Sequence, residues 1–170
     1  MKSINYKTKV SKQDNVLWDI HIPVPAKIAK QFLDENIKRV ICTIDDELTF
    51  HCAIMSQGDG THFIMLSKEK RKQLDLMMGT EIQIKLKKDE SEYGMPMPEE
   101  FEELLLMDEE ANECFQKLTK GKQRSLLYLI GKPKRSETRI KKAVVIAEYL
   151  KSTGGKLDFK ELNEAFKQAN

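Results

Sequence analysis

Residues 16–44 and 58–86 align without a gap at an offset of 42, and this internal repeat is the strongest constraint on what the chain can fold into. Ile20, Ile22 and Val24 fall on His62, Ile64 and Leu66. Lys30 and Gln31 fall on Lys72 and Gln73, Phe32 on Leu74, and Val40, Cys42 and Ile44 on Ile82, Ile84 and Leu86. Each copy passes from strand alternation, through a short stretch of helical spacing opened by Pro25 or Ser67, to a second alternating run, and so reads as a strand, helix, strand unit. Ile82, Ile84 and Leu86 alternate with Glu81, Gln83, Lys85 and Lys87, which places one face on a core and the other in water. Ile4, Tyr6, Thr8 and Val10 alternate ahead of the first copy, and Leu48, Phe50, Cys52 and Ile54 between the copies. Short strands that each bury one face close most economically into a small barrel, which removes free edges, and a duplicated unit makes that barrel approximately twofold symmetric. The turn Asp45-Asp46-Glu47 has the odd length that keeps both flanking apolar sets on one face.

From Tyr93 the pattern changes. The run Tyr93-Gly94-Met95-Pro96-Met97-Pro98 carries residues that end strands and oppose helix, and beyond it helical spacing takes over. Phe101, Leu104 and Leu105 form one apolar stripe, and Ala111, Phe115 and Leu118 a second behind the N-cap candidate Asp108. Leu126, Leu127 and Ile130 form a third before Gly131 and Pro133 stop it; Ile140, Ala143, Val144, Ala147 and Leu150 form the fourth. After Gly154-Gly155, Asp158 and Glu161 have capping-box spacing and open a last helix with Phe159, Leu162 and Phe166 on its apolar face. The expected fold class is therefore α+β. A six-stranded, pseudo-twofold small β-barrel with two short helices fills 1–92, a linker 93–98, and an all-helical region 99–170.

Across 170 residues, 40% hydrophobic and 33% charged, the composition is too apolar for disorder and too polar for a membrane protein. No apolar run suits a membrane span, and no signal-peptide core follows the basic N-terminus, so the expected location is the cytoplasm without membrane insertion. Three cysteines without CxxC spacing read as reduced thiols.

The net charge of +2 calls for no particular partner, but charge is segregated along the helical half. Residues 99–113 hold eight acids and no base; residues 117–142 hold ten bases against Glu137 alone. An open basic face would bind anions or nucleic acid, with Tyr128 available for stacking. Acidic helices lying beside basic ones would instead neutralise it, and without a nucleic-acid motif this second reading is favoured. Lys132, Lys134, Arg135, Thr138, Arg139 and Lys142 form the candidate binding surface. Among the histidines, alternation turns His21 and His51 outward, whereas the repeat aligns His62 with core Ile20 and marks it as a half-buried pocket residue. Cys42 and Cys52 fall on inward faces. No metal-ligand spacing, nucleophile motif or phosphate loop is present, so no catalytic residue, metal or cofactor is assigned.

The segments Leu118-Thr119-Lys120-Gly121-Lys122-Gln123-Arg124, Gly131-Lys132 and Ser136-Glu137-Thr138-Arg139-Ile140-Lys141-Lys142 resemble the YdeI or OmpD-associated family, also labelled bacteriocin-protection proteins. Ile22-Pro23-Val24-Pro25, Lys38-Arg39-Val40 and the stretch from Lys68 through Arg71 and Leu74 to Gly79 resemble the domain of unknown function that commonly precedes it. The resemblance implies a link to tolerance of bacteriocins or cationic peptides and no reaction. The leading expectation is a cytoplasmic, non-enzymatic accessory protein that binds a protein or small molecule. A nucleic-acid-binding regulator resembling a fused AbrB-like dimer stays open, although Lys68, Lys70, Arg71 and Lys72 of the second copy face only Lys27 and Lys30 in the first. An enzyme using the barrel cavity near His62 is the third class.

Overall fold

A computed structural model describes residues 3–12 and 20–169, so the expected opening of the repeat at 16–19 lies outside the described residues. The chain divides into two units, Met1–Glu90 and Ser91–Asn170.

The first unit contains strands β1 (Ile4–Lys9), β2 (Ser11–Lys12), β3 (Ile20–Val24), β4 (Arg39–Ile44), β5 (Leu48–Ala53), β6 (Met55–Ser56), β7 (His62–Met65) and β8 (Glu81–Lys88). Helix α1 (Ala26–Leu33) links β3 to β4, and α2 (Lys68–Gln73) links β7 to β8. The strands form two antiparallel sheets, ordered β1-β8-β4-β5 and β2-β3-β7-β6. Both orders read the same when the two copies are exchanged, and the pairing register obeys the same exchange. Ile22↔Ile64 in one sheet and Thr43↔Lys85 in the other map onto themselves, so they lie at the centre of the symmetry. The pair Ile4↔Leu86 maps onto Leu48↔Ile44, and Ser11↔His21 onto Met55↔Phe63. Similar alternating patterns therefore receive the same pairing twice, as the repeat requires.

The sheets do not close into the expected six-stranded barrel, and the described residues form eight strand segments. Two of the alternating runs bend. Val10 and Ile54 are both buried and leave the ladder, with the Val10 N–H donating to the Thr80 carbonyl (2.9 Å) and the Ile54 N–H to that of Lys38 (3.0 Å). Each run thus supplies an outer strand to both sheets, and among the described residues the outer strands have a ladder partner on one side. They are protected by brevity in β2 and β6 and by Lys7 and Lys9 on β1. The core includes Ile22, Phe32, Val40, Ile44, Ile64 and Ile84, all fully buried. The β4–β5 turn has the expected length: Asp45 and Asp46 both take positive φ, and the Asp45 carboxylate accepts the Gln83 N–H at 2.7 Å.

The second unit holds α3 (Glu99–Met107), α4 (Glu109–Gln116), α5 (Lys120–Gly131), α6 (Ser136–Ser152) and α7 (Phe159–Gln168). Most of its starts and stops follow local chemistry. Asp108 and Thr119 accept N–H groups from the first turns of α4 and α5. Gly155 ends the α6 turn at φ 84°, where an added Cβ would meet the Cys114 carbonyl oxygen at 3.1 Å. Three expectations change. Residues 93–98 are not a free linker, because Tyr93 is buried in the helical core with Met95 and Met97 against it. On α6, Ala143, Ile146, Ala147 and Leu150 are buried while Ile140 and Val144 are half-exposed, so the inward stripe is rotated from the expected one. On α7, Leu162 is buried but Phe159 is 40% exposed.

Because Ile22 and Ile64 exchange under the symmetry and are equally buried, Ile22→Ala and Ile64→Ala are each expected to cost about 2–5 kcal/mol, and by similar amounts. Urea unfolding followed by circular dichroism checks this; a difference as large as the effect itself would show that the two copies are not energetically equivalent.

Candidate functional site

In the helical unit, the residues singled out from sequence divide between holding the fold and lining a cleft. Thr119 caps α5 through Lys122 N–H. Buried Gln123 donates to the Phe115 carbonyl (3.0 Å), and Arg124 donates to that of Tyr93 (3.3 Å). Arg139 is engaged on three sides: its Nε and Nη2 reach Glu100 Oε1 at 2.9 and 2.7 Å, and its Nη1 donates to the carbonyls of Pro133 and Lys134. Ser136 Oγ donates to the same Glu100 oxygen at 2.6 Å. This cluster closes the turn between α5 and α6 onto the start of α3.

Beside it lies a cleft of about 450 Å³, walled by Met95, Pro96, Met97 and Leu127, with Tyr128 and Lys132 opposite Glu99. Tyr128 is 53% exposed, and Lys132 Nζ lies 5.7 Å from its ring centroid. Of the six candidate residues, Lys132 and Arg139 line this cleft. Arg135 precedes α6, and Lys134, Arg135 and Thr138 are exposed. Lys142 sits 5.5 Å from the Phe166 ring centroid. Several pairs between the 99–113 acids and the 117–142 bases are expected, but among the described residues Glu100–Arg139 alone joins the two segments; Asp108 reaches beyond to Lys151 at 2.7 Å, and Lys120 meets Glu92 at 3.6 Å. The cleft wall at 95–98 was hidden in sequence inside an apparent linker; the signal available was methionine in a run otherwise read as a break.

In the β unit, His62 is half-buried on β7 with a buried Nδ1 that has no hydrogen-bond partner. A cleft of about 510 Å³ is lined by its repeat mate, Ile20. His21 is buried rather than outward, its ring edge-on to Phe63 at 5.3 Å, because alternation assigns a face but not what covers it. His51 is also drawn in, its Nδ1 bound to the fully buried Asp89 carboxylate at 2.8 Å. Cys42 is buried; Cys52 lines the cleft, and a hydrogen bond with Cys42, together with burial, pushes its thiol pKa up. Cys114 lies in the helical core. The described residues hold no cluster of three or more histidine, cysteine or carboxylate groups able to bind a metal, and no described helix is long and apolar enough to cross a membrane.

Residues 94–152 match the family model described as bacteriocin-protection, YdeI or OmpD-associated, and residues 6–86 match the domain of unknown function DUF1905. The helical unit is thus similar to the first family and the β unit to the second. No curated protein matches the chain. Within the YdeI/OmpD-associated unit, the motif residues Thr119, Gln123, Arg124 and Arg139 all make fold-holding hydrogen bonds, so the motif is a signature of how these helices dock. The cleft, which Arg139 lines, lies wholly inside the matched span.

The electrostatics of the frame are legible. Hydrogen bonds from Arg139 and Ser136 hold the Glu100 carboxyl at about 2, well below the ordinary carboxylate range, and the same pairing raises Arg139. A depressed carboxylate stabilises the fold above its unfolded pKa, and that contribution disappears as pH falls toward the folded value. The thermal stability advantage of the wild type over Glu100→Gln is therefore expected near neutral pH and to shrink as pH drops from the ordinary glutamate value of 4.5 toward about 2. Melting temperatures measured across that window check it; a constant difference would mean that the charge of Glu100 adds nothing to its hydrogen bonding.

Proposed function

We propose that the protein is a cytoplasmic, non-enzymatic accessory factor in tolerance of bacteriocins or antimicrobial peptides, acting through a protein or small ligand bound in the helical-unit cleft. The observation that carries this reading is the match of residues 94–152 to the bacteriocin-protection family, a span that contains every residue lining the cleft. The cleft's chemistry supports a binding role: methionine and proline supply an adaptable apolar wall, Tyr128 an amphipathic face, and Glu99 and Lys132 charges of opposite sign. A proton-transfer role would need a shifted acid or base poised over the cavity, whereas the Glu100 carboxylate is committed to Arg139 and Ser136.

Glu100 engages Arg139, while Lys132, Lys134 and Arg135 stay exposed, with Lys132 and Lys142 beside aromatic rings. That is a small electrostatic footprint for a nucleic-acid binder. Duplex DNA is accordingly expected to bind only in the nonspecific range, about 0.1 mM or weaker at physiological salt. Submicromolar binding lost in Lys134→Ala/Arg135→Ala would replace the accessory reading with a regulator.

Expression of the chain in a bacteriocin-sensitive bacterium is expected to raise the peptide concentration that stops growth. Tyr128→Ala and Lys132→Ala should lose this protection while keeping the wild-type melting temperature, since both side chains are exposed. No protection against any of a panel of bacteriocins and cationic peptides would overturn the proposal.

A further inference from the structure

We propose that the cleft in the β unit binds a small organic oxyanion that carries an apolar body. This site lies in the DUF1905 unit and does not depend on the reading of the helical cleft.

The cleft has the size of a small-molecule site, about 510 Å³, with Phe50, Cys52, Met55 and Met65 among its apolar lining. Its charged lining is all of one sign: Arg39, Lys68, Lys70 and Arg71, with no carboxylate among the lining residues. Among the described residues, no ion pair neutralises Lys68, Lys70 or Arg71. Lys70 Nζ lies instead over the Phe50 ring, 4.8 Å from its centroid. The Nε–H of Arg71 is buried with no acceptor, a donor that the fold leaves unused. His51, on the same wall, is held by Asp89. This contact at Nδ1 fixes the ring orientation.

The repeat supplies an internal control. By the 42-residue offset, the counterparts of Arg39, Lys70 and Arg71 are Glu81, Ile28 and Ala29. By the pairing that equates β1 with β5, the counterparts of Phe50 and His51 are Tyr6 and Lys7. The same backbone plan is therefore built in the first copy without this cationic set, which means the strand, helix, strand unit does not require it. Tyr6 donates its hydroxyl to the Pro23 carbonyl at 3.3 Å, whereas Phe50 has no hydroxyl to reach the equivalent Met65. The Arg71 guanidinium and the Lys68 and Lys70 ammonium groups, gathered on an apolar surface with no carboxylate in its lining, favour an oxyanion head, and the Phe50 and methionine lining favours an alkyl or aromatic body attached to it.

Isothermal titration with four probes, each below its micelle concentration, separates the contributions. Decanoate and decyl phosphate carry both head and body, decanol the body alone, and inorganic phosphate the head alone. At least one amphiphilic anion is expected to bind the full chain saturably at one site, about tenfold or more tighter than decanol and inorganic phosphate, equivalent to about 1.4 kcal/mol or more. Whichever of decanoate and decyl phosphate binds more tightly identifies a carboxylate or a phosphate ligand. The double variant Lys70→Ile/Arg71→Ala, which takes the residues standing at Ile28 and Ala29 in the first copy, should keep the wild-type melting temperature and weaken binding by about tenfold or more. If that variant fails to fold, Lys70→Gln/Arg71→Gln provides the same comparison. Decanol binding as tightly as the anions, unchanged affinity in the folded double variant, or no saturable binding of either amphiphile would each overturn the proposal.

Discussion

The β unit depends on two central ladders in which a strand meets its own repeat. β3 pairs with β7 about Ile22↔Ile64, and β4 pairs with β8 about Thr43↔Lys85. A duplicated segment that pairs antiparallel with itself places its second half by symmetry once its first half is placed, so one pattern of inward residues specifies both sheets. The outer strands follow, because each long run bends at Val10 or Ile54 and is carried from one sheet to the other. With this scaffold satisfied twice, one copy can depart from the common chemistry without endangering the fold. Arg39, Phe50, Lys70 and Arg71 stand where the other copy has Glu81, Tyr6, Ile28 and Ala29.

The helical unit is held differently. Its apolar core, built from Phe101, Phe115, Leu126, Leu127, Ile130 and Leu150, is clamped by charged pairs that join the acidic helices to α6. Glu100 holds Arg139, and Asp108 both caps α4 and accepts from Lys151. Tyr149 joins α6 to the start of α7, accepting the Asp158 N–H at 3.1 Å and donating to Glu161 at 3.0 Å. The expected capping box is therefore completed through a third residue, with Asp158 Oδ1 still accepting the Glu161 N–H. These pairs orient helices, and the charge they consume leaves the neighbouring cleft to Tyr128, Lys132 and its apolar wall.

Much of the architecture was legible because it rests on local or periodic signals. The strand runs, the two short helices, the helix starts at Asp108 and Asp158 and the stop at Gly131 all follow from alternation, capping and breakers within a few residues. The buried triplets Ala111, Phe115, Leu118 and Leu126, Leu127, Ile130 follow from helical spacing. The candidate site was legible in part. Lys132 and Arg139 do line a cleft, though Arg139 also serves the frame, and Lys68, Lys70 and Arg71, marked in sequence only as an asymmetry between the copies, line another. His62 drew attention because the repeat placed it in the core; it is half-buried on β7 and is not among the residues lining the cleft beside Ile20.

By itself, the sequence determined the duplicated strand, helix, strand plan, the boundary between alternating and helical texture, and the family that each unit resembles. Periodicity and capping are one-dimensional properties, readable wherever the decisive neighbours lie within a turn or two of chain. Tertiary structure decided whether the sheets close, which helical stripe faces inward, and where each long charged side chain is engaged. Those outcomes depend on partners far away in sequence: Glu100 and Arg139 are 39 residues apart, and His51 and Asp89 are 38 apart. No local pattern encodes such a pairing, because a charge can be neutralised by any acid or base that the packed elements bring within reach.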